Sequence, residues 1–261
     1  MNESALNISQ ENEFQYYEKG EGDVLLLLHG LFGALSNFKY LIDHFSLKYK
    51  VCIPLLPLYD LPLESTSVPG LVTYLEKFIA FKKYKSVSLI GNSLGGHIAL
   101  LYALNKESNI ASIILTGSSG LFENSLGETY PKVSSYEYIK EKTESTFYDS
   151  KMASKDLVDE VYKIVNNREK AIRILYLAKS ALRNNLKDLV GQINVPVLLV
   201  WGNQDSITPT YVAEEFHRLI PNSEMYFIDK CGHAAMMEKP KEFNLILEKF
   251  LNTLILPNND S

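Results

Sequence analysis

The chain has 261 residues, 46% hydrophobic and 22% charged, close to the globular average, which excludes a disordered chain, a collagen and a coiled rod. Against a prior of about 150 residues per domain it is one large domain or a domain carrying a sizeable insert. A formal charge of −5, from 26 Lys and Arg against 31 Asp and Glu, leaves no footprint for nucleic acid, whose phosphates need clustered cations.

Met1 to Asn12 is polar and acidic rather than basic and apolar, so no signal peptide is expected and a cytoplasmic protein is. Phe14 to Glu18 alternates and predicts an antiparallel edge strand. Short apolar runs at Val24 to Leu28, Val51 to Ile53, Val87 to Ile90, Ile113 to Leu115, Val197 to Trp201 and Met225 to Ile228 predict buried parallel strands. Amphipathic stretches such as Leu71 to Phe81 and Ile98 to Leu104 lie between most of them, and this alternation predicts an α/β chain with helices on both faces of a parallel sheet. The longest apolar stretch, Val195 to Trp201, contains Pro196 and falls far short of the roughly 20 residues of a membrane span. Cys52 and Cys231 are too few and too distant for a disulfide framework or a zinc site and read as structural thiols.

The rhythm breaks between Ser118 and Gly191, where no convincing strand occurs. Leu157, Val161, Ile164 and Val165 share one helical face, as do Ala171, Ile174, Leu175, Ala178 and Leu182, which predicts an insert of two or more packed helices. The insert is rich in aromatics, including Tyr130, Tyr136, Tyr138, Phe147, Tyr148, Tyr162 and Tyr176.

Gly91-Asn92-Ser93-Leu94-Gly95-Gly96 follows the strand Ser86 to Ile90 and opens a helix near His97. A nucleophilic serine must project its hydroxyl above the edge of a sheet. The strained turn that does so tolerates little bulk, hence glycine two residues to either side. In this strand-to-helix setting the motif marks Ser93 as a catalytic serine.

The segment resembles the nucleophile elbow of the α/β-hydrolase fold family. His29-Gly30-Leu31-Phe32-Gly33 directly follows a strand and resembles the family's oxyanion loop; Trp201-Gly202-Asn203-Gln204-Asp205 ends a late strand; Gly232-His233 lies near the end. The order Ser, Asp, His is that of the family. The resemblance implies an α/β-hydrolase fold, a mostly parallel sheet flanked by helices. Residues 1–117 and 191–261 would form the core and 118–190 a helical cap inserted after the sixth strand.

It also implies a division of labour. His233 would take the Ser93 proton and return it to the leaving group; Asp205 would fix the imidazole tautomer. The competing acid position after Ile113 to Leu115 offers Thr116, Gly117, Ser118 and Ser119 but no carboxylate, while a capping role ahead of Thr208-Pro209 is the alternative for Asp205. His44, His97 and His217 fall on predicted helices, and His29 holds the oxyanion loop by hydrogen bonds. The backbone amides of Leu31 and Leu94 would form the oxyanion hole. Leu31, Phe32, Leu94, Phe122 and the cap would set specificity, and Met236 and Met237 either line the same pocket or fill core.

The implied activity is a serine hydrolase that cleaves a small apolar ester or related acyl compound through an acyl-enzyme. The alternatives are a carbon-carbon bond hydrolase of the same fold and a non-catalytic small-molecule binder or sensor. Pro54-Leu55-Leu56-Pro57-Leu58-Tyr59-Asp60 departs from the Asp-x-x-Gly-x-Gly-x-Ser turn of many relatives, so that loop is expected to be reshaped. Leu31-Phe32 is bulkier than the oxyanion loop of the carbon-carbon bond hydrolases, although Gly91-Asn92-Ser93 resembles their turn. A serine at 93 argues against the dehalogenases and epoxide hydrolases of this fold, which carry aspartate there. No nucleotide, flavin or metal motif is present, so no cofactor and no metal are expected. An apolar cap surface would support a homodimer.

Overall fold

Strands that are apolar at every position need cover on both faces, and the intervening helices supply it. A computed structural model describes residues 7–33, 35–104, 109–122 and 134–255. In chain order its strands are β1 (Ser9–Glu11), β2 (Phe14–Lys19), β3 (Val24–Leu28), β4 (Lys50–Pro54), β5 (Val87–Asn92), β6 (Ile110–Thr116), β7 (Val197–Gly202) and β8 (Ser223–Ile228). The helices are α1 (Lys39–Phe45), α2 (Val68–Lys82), α3 (Leu94–Ala103), α4 (Tyr136–Glu144), α5 (Lys155–Asn166), α6 (Arg168–Arg183), α7 (Thr210–Leu219), α8 (Ala235–Glu238) and α9 (Pro240–Ile255). The strands form one sheet in the order β1-β2-β4-β3-β5-β6-β7-β8. β2 pairs antiparallel with β1 and β4, and the other pairs are parallel.

Alternation along the strands divides the interior in two. Leu26, Leu28, Leu89, Ile113, Leu115, Leu199 and Trp201 join a core with α2, α3 and α7. Leu25, Leu27, Ile90, Ile114, Leu198 and Val200 join a second core with α1, α8 and α9. Each such side chain, fully removed from water, stabilises the fold by roughly 1.5–3 kcal/mol.

Two strands differ from expectation. Phe14 to Glu18 is antiparallel but not the edge: β1 lies outside it, with Ser9 opposite Tyr16. The Ser-Gln-Glu of β1 carries no apolar alternation, and Asn12, at φ 52, makes the turn between the two strands. A polar three-residue strand is a blunt edge that resists further pairing. At the other side β8 is itself the edge, so its side chains alternate between shelter and solvent, and only Ile228 is fully buried.

The insert between β6 and β7 contains α4, α5 and α6. Ser135, Ser154 and Asn167 cap these helices by accepting from the amides of Tyr138, Leu157 and Lys170, which satisfies donors that no helix can satisfy internally. In α5 the buried residues are Val158, Val161 and Ile164. The buried face of α6 is rotated from the predicted one: Ala171, Ile174, Leu177, Ser180 and Ala181 point inward while Leu182 is 47% exposed. Docking on α2 causes the rotation, because Leu177 and Ala181 enter the first core and Ser180 Oγ accepts from the Val68 amide at 2.9 Å. Tyr136 and Tyr162 meet edge to face, Phe147 is buried, and Tyr148 and Tyr176 are exposed. Tyr130 lies outside the described residues.

Both cysteines are free and buried, and burial pushes each thiol up to about 12, so they pack as apolar groups. Among the described residues no helix is long and apolar enough to cross a membrane. None of these residues forms a cluster of three or more His, Cys, Asp or Glu able to hold a metal.

Buried histidines make the fold acid-sensitive. Burial lowers His29 below its ordinary value and pushes His97 down to about 4, even though His97 Nε2 donates to the Asn184 carbonyl at 2.8 Å. The unfolded chain takes these protons near pH 6.5 and the native protein does not, so this stability is present above about pH 6.5 and is lost as the pH falls. Urea unfolding of the wild type at pH 7.5 and pH 4.5 is expected to show a loss of up to about 3 kcal/mol from His97, and His97→Gln should show a smaller loss over the same interval.

Candidate active site

Ser93 stands between the last residue of β5 and the first of α3, at φ 54 and ψ −120. A positive φ at a residue with a side chain is strained by about 1–3 kcal/mol, so its surroundings must hold it there. Its amide donates to the Thr116 carbonyl at 3.2 Å, and its carbonyl accepts from the amides of Gly96 and Ser119 at 3.0 and 3.2 Å. The glycines allow this crowding. A Cβ on Gly91 would lie 2.5 Å from the Gly96 Cα, and one on Gly95 would lie 2.0 Å from the Leu28 carbonyl oxygen. Ser93 itself is half-buried, its side chain not sealed into the packing.

The loop after β3 passes beside it, since a Cβ on Gly30 would lie 3.1 Å from the Ser93 Cβ. The Gly30 carbonyl accepts from His29 Nδ1 at 2.9 Å and from the Gly33 amide at 3.1 Å. A trans peptide is planar, so holding that carbonyl sends the Leu31 N–H the opposite way. His29 carries its proton on Nδ1, because Nε2 accepts from the Leu56 amide at 3.2 Å. His29 thus braces the loop, as its sequence position suggested. The Leu94 amide opens α3, where the first turn leaves N–H groups without helical partners.

His233 follows β8 and α8 begins just after it. Its ring lies against Gly117, where a Cβ would fall 2.7 Å from Nδ1. Its carbonyl accepts from Asn92 Nδ2, the residue before Ser93, at 3.3 Å. Nδ1 is 2.9 Å and 3.1 Å from the two carboxylate oxygens of Asp205. A carboxylate only accepts, so the nitrogen that faces Asp205, Nδ1, carries a proton.

The Asp205 side chain is 1% exposed and that of His233 8%. Besides the imidazole, Asp205 accepts from the amides of Ile207 and Thr208, each at 2.9 Å, and from Thr208 Oγ1 at 2.8 Å. Burial alone would raise this carboxyl, but the His233 imidazole and the Thr208 donors outweigh it and hold it below the ordinary carboxylate range. Asp205 thus closes the turn to Thr208 and holds the imidazole, but it does not cap α7, which begins after Pro209 with no side-chain cap.

Several partners had no sequence signal beyond being polar residues in loops or, for Glu238, at the end of the short helix α8. Gln204 Oε1 accepts from the Cys231 amide at 3.0 Å, fastening the loop after β7 to the loop after β8. The insert joins both: Ser206 Oγ donates to the Ser145 carbonyl at 2.9 Å, and the His233 amide donates to the Thr146 carbonyl at 2.9 Å. Glu238 accepts from the amides of Gly232 and Tyr148 at 2.9 and 2.8 Å.

Of the residues expected to touch substrate, Leu31 and Phe32 are half-buried on the loop beside Ser93, and Phe122 stacks edge to face on Tyr211 at 5.6 Å. Met236 is 1% exposed and sits in the second core, beyond the sheet from Leu94.

The profile of the alpha/beta hydrolase fold family matches residues 23–240. The crystal structure of MGS-MChE2, an alpha/beta hydrolase enzyme from the metagenome of sediments of the Mar Chica lagoon, Morocco, superimposes with a TM-score of 0.80 and 42% identity, over 96% of this chain and 100% of that one. Monoacylglycerol lipase ABHD6 of Bos taurus is 27% identical over 92% of this chain and 78% of its own length. A 2-hydroxy-6-oxo-6-(2'-aminophenyl)hexa-2,4-dienoic acid hydrolase of Metapseudomonas resinovorans is 27% identical over 92% of this chain and 88% of its own.

Glu238 offers a direct test of how the insert and the loop after β8 are held. Glu238→Ala strands two amides, and since each hydrogen bond to a charged group contributes about 1.5–3 kcal/mol, a loss of about 3 kcal/mol is expected in urea unfolding at pH 7.

Proposed function

The chain belongs to the α/β-hydrolase fold family and is a hydrolytic enzyme of that fold, and from that premise we propose that it cleaves a carboxylic ester or related acyl compound through an acyl-enzyme. The observation that carries this reading is the buried Asp205–His233 pair, set against the turn that bears Ser93. Ser93 Oγ attacks the acyl carbon while His233 Nε2 takes its proton, and Asp205 steadies the imidazolium that forms. The Leu31 and Leu94 amides receive the charge that develops on the carbonyl oxygen, each worth a factor of about 10²–10³ in rate. Collapse of the tetrahedral adduct breaks the ester bond, and His233 returns the proton to the leaving alcohol. Water, activated by the same imidazole, then releases the acid and restores Ser93.

In this reading residues 118–190 are a cap over a core of 1–117 and 191–261. Its ties to Ser206, His233 and Glu238 support a wall fixed to the catalytic loops. Leu31, Phe32, Leu94 and Phe122 give an apolar lining suited to an acyl chain, whereas Met236, expected in that lining, fills the second core.

A second reading is a carbon-carbon bond hydrolase. It is favoured by the match to the dienoic acid hydrolase and by the Gly91-Asn92-Ser93 turn. The bulk of Leu31-Phe32 favours the ester.

A panel of p-nitrophenyl esters of increasing chain length, run beside a chromogenic dienone acid, separates the two. Ester turnover is expected to dominate, and Ser93→Ala should lower kcat by about 10⁶ and abolish fluorophosphonate labelling; turnover that survives in this variant overturns the serine mechanism. Asp205→Asn leaves the site's shape but presents the wrong tautomer to Ser93, so kcat at pH 7 should fall by about 10⁴.

A further inference from the structure

The segment after β4 closes against the loop after β3 through two hydrogen bonds. The Leu56 amide donates to His29 Nε2 at 3.2 Å, and Tyr59 Oη donates to the Leu31 carbonyl at 2.6 Å. We propose that Tyr59 is a positioning residue for the oxyanion hole, its hydroxyl locking the backbone of Leu31 so that the Leu31 N–H stays aimed at the oxygen above Ser93. This inference rests on the donor assigned to Leu31 in the proposed function.

The peptide plane that precedes Leu31 is held at the Gly30 carbonyl by His29 and Gly33. The plane that follows it is held at the Leu31 carbonyl by Tyr59. With both planes fixed, the two soft dihedrals that meet at the Leu31 Cα are no longer free. Gly30 and Gly33 make the loop pliable by themselves, because glycine restricts the backbone least.

Tyr59 is well placed for the task. Its ring packs against the first core, and Lys170 Nζ of α6 stands 5.1 Å from the ring centroid. Arg173 Nε, also of α6, donates to the Leu61 carbonyl at 3.3 Å. Burial holds the phenol well above its ordinary range, so it remains a donor through the working pH. The insert therefore bears on the segment that bears on Leu31.

Tyr59→Phe removes one hydroxyl and keeps the ring, and its Tm checks that the fold is retained. A fluorophosphonate bound to Ser93 places its phosphoryl oxygen where the ester oxygen would sit. Its second-order labelling rate is expected to fall about tenfold, less than the about 10²–10³ of a donor lost outright. The kcat for a short p-nitrophenyl ester should fall by a similar factor with KM unchanged. A variant labelled within twofold of the wild-type rate overturns the positioning role, whatever its Tm, and so does a loss confined to KM, which would make Tyr59 a wall of the pocket. Wild-type protein that is not labelled at Ser93 overturns the serine-hydrolase reading and this inference together; labelled wild type matched by Tyr59→Phe overturns only this one.

Discussion

A carboxylate with 1% of its surface exposed must be fully hydrogen-bonded, because desolvating an unpaired charge costs more than a protein of ordinary stability can absorb. Asp205 meets that requirement with an imidazole, a hydroxyl and two amides. Each donor comes from a segment whose position is thereby set. Ile207 and Thr208 fold the loop after β7 back on itself, and the Trp201 indole donates to the Thr208 carbonyl beneath it. His233 brings in the loop after β8. The geometry of the imidazole is thus a consequence of keeping one buried charge solvated by protein.

The serine turn depends on a different balance. Its positive φ is opposed by local sterics and sustained by neighbours: the end of β6 accepts from its amide, and its carbonyl collects donors from α3 and from Ser119. Backbone packs directly on backbone at Gly91 and Gly95. The strain is held by a rigid parallel sheet, where Asn92 pairs in register with Thr116, and this is what keeps Ser93 in its turn at the end of β5.

The insert completes the arrangement by touching every loop that matters. Its residues 145–148 reach the loops after β7 and β8, α6 reaches the segment after β4, and that segment reaches the loop after β3. Leu186, Val190 and Ile193, which follow α6, pack into the first core. Nearly all of these ties are single hydrogen bonds to main-chain groups, which fix direction as well as distance.

The parallel strands, the helices between them, the helical insert and the placement of Ser93, Asp205 and His233 at strand ends were all legible in the amino-acid order. Apolar runs, 3.6-residue periods and glycine spacing are local patterns that reflect local backbone physics. β1 escaped because a polar three-residue strand has no pattern, and the inward face of α6 differs from the predicted one because its rotation is set by α2, whose Val68 lies 112 residues from Ser180 in sequence. Asn92, Gln204, Thr208 and Tyr59 lay in or beside segments singled out from the sequence, but nothing there marked their side chains' partners, and Glu238 lay in none of them. Their roles are hydrogen bonds between segments that only the folded sheet brings together, and the direction of such a bond is decided by tertiary packing, which no window of neighbouring residues encodes.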